Sequence, residues 1–138
     1  MKNIFLLIML ALSICTKTLG SAKQQQKEEI YWARITYYTD DGKWGNQVAW
    51  NSVDHAKKGV TVAAHPQFPF GTKVSIPELN GKLDRDAEFV VQDRGSAVTS
   101  KKASRGKTFV FDVYVKNKKE VQAYARNTAA YMKVIVRR

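Results

Sequence analysis

The stretch Ala87-Glu88-Phe89-Val90-Val91-Gln92-Asp93-Arg94-Gly95 decides how this chain is read. Its centre is apolar and β-branched, the composition of a buried strand. Its last three residues change character at once. An aspartate follows the strand, and a glycine permits a sharp exit. An acid at the end of an apolar strand is partly withdrawn from water, which is where carboxyl groups acquire working pKa values.

Outward from this segment the chain reads as short strands separated by turns. Tyr31 to Thr39 is aromatic and β-branched, and adjacent Tyr37 and Tyr38 are expected to point to opposite faces. Val60 to Ala64 is a second strand. Lys73 to Ile76 alternates polar and apolar residues and is stopped by Pro77. Asn80-Gly81 marks a turn. Ala87 to Gln92, Thr108 to Val115 and Tyr131 to Val136 complete six strands. Asp40 to Lys43 reads as a turn, and Trp44 to Gly59 as a long surface loop. A helix is marked by Asn117 as its cap, with Glu120 three residues later and Val121, Tyr124 and Ala125 on one face. The expected fold is therefore all-β, a small closed six-stranded barrel with one short helix before the last strand.

The N-terminus carries a different signal. Lys2 precedes the apolar run Ile4 to Leu12, and Gly20-Ser21-Ala22 supplies small residues for cleavage. Residues 1–22 are expected to be a signal peptide, 23–30 a flexible polar leader, and 31–138 the barrel domain. The run is short for a membrane span, so no stable membrane insertion is expected after cleavage. Cys15 follows Ile14, not the small residue that lipid modification needs. The mature chain would then hold no cysteine, and a packed core must stabilise it without disulfides. The localisation expected is secreted or periplasmic.

The 138 residues carry 23 lysines and arginines against 12 acids, a formal charge of +11. A basic exported protein is drawn to anionic polymers of a cell envelope. Nucleic acid fits the charge but not the export signal, so it is set aside as a partner. Two histidines and one cysteine offer few soft ligands, so neither metal nor cofactor is expected. A monomer is expected.

Three segments carry candidate chemistry. Ala63-Ala64-His65-Pro66-Gln67-Phe68-Pro69-Phe70-Gly71-Thr72 ends a strand with a histidine fixed by a Pro/Gly turn. Val91-Gln92-Asp93-Arg94-Gly95 presents the aspartate. Phe111-Asp112-Val113-Tyr114 puts an acid inside an apolar strand, where its charge must meet water, a partner or a cleft. Each also has a purely structural reading: a fixed strand end, a turn residue, and a rim acid paired with lysine.

Together these segments resemble the double-psi β-barrel superfamily of cell-wall proteins. Ala64-His65, then Pro69-Phe70-Gly71-Thr72, then Asp93-Arg94-Gly95 resembles the rare lipoprotein A family. Phe111-Asp112-Val113-Tyr114 with Asp93 resembles the 3D domain shared with the membrane-bound lytic transglycosylase A group. There His65 stands where that domain has its first aspartate. The chain departs from these patterns at Ser96, which replaces a proline. The loop from Ala97 to Lys107 is longer, and Val48 to Ser52 replaces a threonine-glycine segment.

The resemblance implies a double-psi barrel and lytic transglycosylase activity on peptidoglycan glycan strands. Such cleavage passes through an oxocarbenium-like transition state and needs an acid at the leaving oxygen. The sugar's own 6-hydroxyl then attacks, so a single carboxyl can serve as acid and then base. Asp93 is the expected acid, with Asp112 raising its pKa and His65 orienting it or touching the sugar. Tyr38 and Trp50 are expected to stack on sugar faces, and Arg94 and Lys101 to bind the anionic polymer. Arg94 should turn away from the Asp93 carboxyl. Two other readings use the same barrel: a non-catalytic, expansin-like wall binder, and a protein inhibitor, which the missing cysteines disfavour.

Overall fold

A computed structural model describes residues 26–40, 47–83 and 86–138. The expected signal segment 1–22, the first residues of the leader, the turn residues Asp41 to Lys43 and Trp44 lie outside the described residues.

Six strands form one sheet: β1 (Glu28–Tyr38), β2 (Thr61–Ala63), β3 (Lys73–Ser75), β4 (Glu88–Asp93), β5 (Val110–Tyr114) and β6 (Tyr131–Arg137). Their spatial order is β1-β5-β2-β4-β3-β6, and β6 pairs back onto β1. β1 runs parallel to β5 and β2 parallel to β4, while the remaining pairs are antiparallel. The all-β expectation holds. Because the pairings run full circle, each of the six described strands has a partner on both sides.

β1 follows the alternation of its sequence. Ala33, Ile35 and Tyr37 enter the core, and Trp32, Arg34, Thr36 and Tyr38 take the opposite face. The strand starts at Glu28, so the expected leader gives up three residues to it. Glu28, Glu29 and Ile30 pair with Arg137, Val136 and Ile135 of β6. Arg137 Nε donates to Glu28 at 2.7 Å, and Arg138 meets Glu29 at 3.3 Å. Charge on the outer face masked a strand that the partner's pairing imposes.

The core is filled by Phe68, Phe89, Phe111, Ile76, Leu79, Leu83 and Met132, all fully buried. Phe68 comes from a turn, not a strand, and meets Tyr31, Phe109 and Phe111 at ring distances of 5.3, 4.9 and 5.0 Å.

Two helices accompany the sheet. The one-turn α1 (Ser96–Thr99) follows β4 directly and adds to the single helix expected, because four residues leave no period to read. α2 (Lys118–Asn127) starts where its cap predicts, with Asn117 Oδ1 accepting from the Glu120 N–H at 3.0 Å. Glu120 accepts in turn from the Lys116 N–H, one residue before the cap itself. Val121 and Tyr124 pack on the core, and Tyr37 stacks on Tyr124 at 5.4 Å. Ala125 stays exposed.

Candidate functional site

β2 lies between β4 and β5, and its last residue organises the site. Ala63 stands opposite Asp93 on one side and opposite Asp112 on the other. The register between β2 and β4 slips after Val62, which pairs Ala63 with Asp93 where regular pairing would give Gln92. Such a bulge re-aims the side chains beyond it. Two elements of the sheet thus bring both aspartates beside one alanine. Ala63, Val98 of α1 and Val110 form a small apolar cluster with Tyr38 packed against it, separate from the main core.

Three donors converge on Asp93. Tyr38 Oη donates to Oδ2 at 2.7 Å. The N–H groups of Ala49 and Arg94 donate to Oδ1 at 3.2 and 2.8 Å. The Trp50 N–H adds a bond to the Gln92 carbonyl at 3.0 Å, so the loop after β1 is tied to the site by its backbone. Burial, and then the Asp93 charge, push the Tyr38 phenol up, so it remains a donor.

Among the described residues Asp112 has one hydrogen-bond partner, Thr36 Oγ1, which donates to Oδ1 at 2.8 Å. Burial pushes its carboxyl up to about 6, and the nearby Asp93 charge adds to the rise while the Thr36 bond opposes it.

The remaining predicted residues divide. Trp50 is 46% exposed and its ring lies nearly parallel to that of Phe70 at 6.5 Å. Arg94 turns away from the Asp93 carboxyl as expected. Its Nη1 donates to the carbonyls of Ala64 and Asp93, both at 3.1 Å, and its Nη2 to that of Phe68 at 2.8 Å. Its guanidinium lies 4.0 Å from the centroid of Phe70. Through these three carbonyls the Arg94 fork clips the 64–68 turn.

For His65, only the expected orienting contact to Asp93 is corrected. It makes no hydrogen bond to Asp93; its Nδ1 accepts from the Gln67 N–H at 3.1 Å, and its ring packs 5.4 Å from Phe109. Burial, then Lys101 and Arg94, hold its pKa down, so it is neutral near pH 7. Lys101 Nζ sits 4.2 Å over the other partner of that histidine, the Phe109 ring. His65 and Lys101 therefore belong to a group at the start of β5, and Tyr38, Asp93 and Asp112 to another.

Thr36, the Ala49 N–H and Val98 were not foreseen. Thr36 was findable: a polar residue two before Tyr38 shares its strand face. A backbone N–H leaves no trace in sequence, and Val98 reads as an ordinary loop residue. Among the described residues, no group of three His, Cys, Asp or Glu side chains is placed to hold a metal ion, and no helix is long and apolar enough to cross a membrane. Comparison with protein-family models, with curated proteins and with solved structures finds no match for the chain.

Proposed function

We propose that this chain is an exported peptidoglycan-active enzyme, a lytic transglycosylase that cleaves glycan strands to 1,6-anhydro products on a double-psi β-barrel. The observation that carries the reading is the aspartate pair beside Ala63: one carboxyl pushed up to about 6, the other ringed by three donors. Two parallel strand pairs within a closed six-strand ring support the finer name for the barrel.

The geometry favours moving the acid role from Asp93 to Asp112. A desolvated carboxyl with a pKa near 6 is poised to protonate a leaving oxygen in mildly acidic to neutral conditions. Left as carboxylate, Asp112 then takes the proton of the sugar 6-hydroxyl as that oxygen closes on the anomeric carbon. Asp93, fixed by Tyr38 and two backbone N–H groups, supplies negative charge beside the oxocarbenium-like centre. Trp50 offers a stacking face to an adjoining sugar.

A second reading is a non-catalytic wall binder on the same barrel. It is favoured by Asp93 having both oxygens already engaged by the protein. Mass spectrometry of peptidoglycan digested with the purified protein separates the two. Anhydro-muropeptides that disappear with Asp112→Asn support the enzyme. Sedimentation with peptidoglycan and no such product supports the binder, and neither product nor binding removes both.

A further inference from the structure

We propose that the outer face of β1 carries a second, non-catalytic binding site, for a sugar bearing a carboxylate. The polymer that would supply this sugar rests on the preceding reading. The site itself rests on Arg34. Its Nε is buried and has no hydrogen-bond partner among the described residues. Arg94, Arg137 and Arg138 each have oxygen partners. Arg34 instead lies against an aromatic ring, its guanidinium carbon 5.5 Å from the centroid of Tyr131. It borders a cleft of about 230 Å³ between β1 and residues 128–130 after α2. Arg34 as a whole is only partly buried, and a guanidinium on the wall of an open cleft with one donor left unsatisfied is suited to an oxygen that the protein does not provide.

The surroundings specify the class of ligand. Trp32 precedes Arg34 on the same face and is 64% exposed, although indole is a costly group to leave in water. Tyr131, directly opposite Arg34 on β6, is 37% exposed, and Lys133 stands opposite Trp32. Flat rings beside a forked cation suit a sugar face and an attached carboxylate together. Thr36, which holds Asp112, also borders the cleft. It follows Arg34 by two residues, about 7 Å along a strand. One glycan strand can therefore touch Arg34 while a neighbouring unit lies at the aspartates.

The test is sedimentation of the protein with intact peptidoglycan and with peptidoglycan whose carboxyl groups have been amidated. The parent should bind the native polymer about tenfold more tightly, the worth of one charge-assisted pair. In salt that screens exposed Lys102, Arg105 and Lys107, Arg34→Gln should bind both polymers nearly alike, close to the amidated level. Trp32→Ala should weaken both, and its exposure keeps the fold out of the question if Arg34→Gln fails to fold. A parent that does not distinguish the polymers, an Arg34→Gln that keeps the preference, or a Trp32→Ala that binds like the parent overturns the site. Product analysis of the same samples tests catalysis separately: absent anhydro products with an intact Arg34 effect remove the enzyme and leave the site standing.

Discussion

Asp112 is where one residue's environment has a measurable consequence. Its folded carboxyl keeps its proton to about pH 6, against 3.8 ordinarily. Between those values the folded state binds more protons than the unfolded one, so stability falls as pH rises through the window. The full cost, present above about pH 6, corresponds to roughly 3 kcal/mol. Asp112→Asn should therefore raise stability at pH 7 by up to about 3 kcal/mol and give almost no gain near pH 3.5, while abolishing cleavage. Urea unfolding at several pH values checks this, and equal gains at both ends would remove burial as the cause. On the proposed mechanism, the parent's turnover should fall as pH rises past 6, when Asp112 loses the proton that the mechanism has it donate. Tyr38→Phe makes a different statement. It deletes one of three donors to Asp93 and leaves an oxygen unpaired, at about 1–3 kcal/mol in stability. A thermal melt matching the parent's would show that the Tyr38–Asp93 bond contributes nothing.

Elements position these residues, and they were unequally legible. β3 was readable because Lys73-Val74-Ser75 alternates and Pro77 stops it. β4 and β5 were readable as apolar strands, and the acids they carry were readable as exceptions within them. The bulge after Val62 was not, because a slipped register is a property of two paired strands and neither sequence contains it. That slip fixes where Asp93 stands. The Tyr38 clamp was hidden for the same reason: it spans 55 residues and depends on the order of strands around the ring. Arg94 looked like a ligand residue because its three carbonyl partners are backbone groups, which no side-chain pattern reveals. As a clip joining β4 to the turn after β2, it makes a prediction at this scale. Arg94→Ala should cost about 2–3 kcal/mol of stability, and Arg94→Lys most of that, since an ammonium cannot span the same carbonyls. A substrate-binding arginine would instead weaken polymer sedimentation with an unchanged melt.

The whole molecule combines a closed ring with an uneven use of charge. Among the described residues, six of the sequence's twelve acids are committed to ion pairs or the site: Glu28 and Glu88 to Arg137, Glu29 to Lys27 and Arg138, Glu120 to Lys58, and Asp93 and Asp112 to the site. The formal excess of eleven positive charges is what remains after all twelve acids are counted. Part of it is concentrated after α1, where Lys102, Arg105 and Lys107 are all exposed. Charges of this kind stabilise a fold very little, but they govern encounter with a polyanion and are screened over about 10 Å at 0.1 M salt. Lys102→Glu with Lys107→Glu should then leave the melting curve within about 0.5 kcal/mol of the parent's. The same pair should weaken sedimentation with anionic wall polymer at low salt and flatten its dependence on salt. The two proteins should converge as salt rises, because the proposed contacts that persist there, ring stacking at Trp32 and Trp50 and the partly buried Arg34 pair, are screened far less. A parent whose binding ignores salt would locate recognition in those rings alone and leave the basic surface without a part in it.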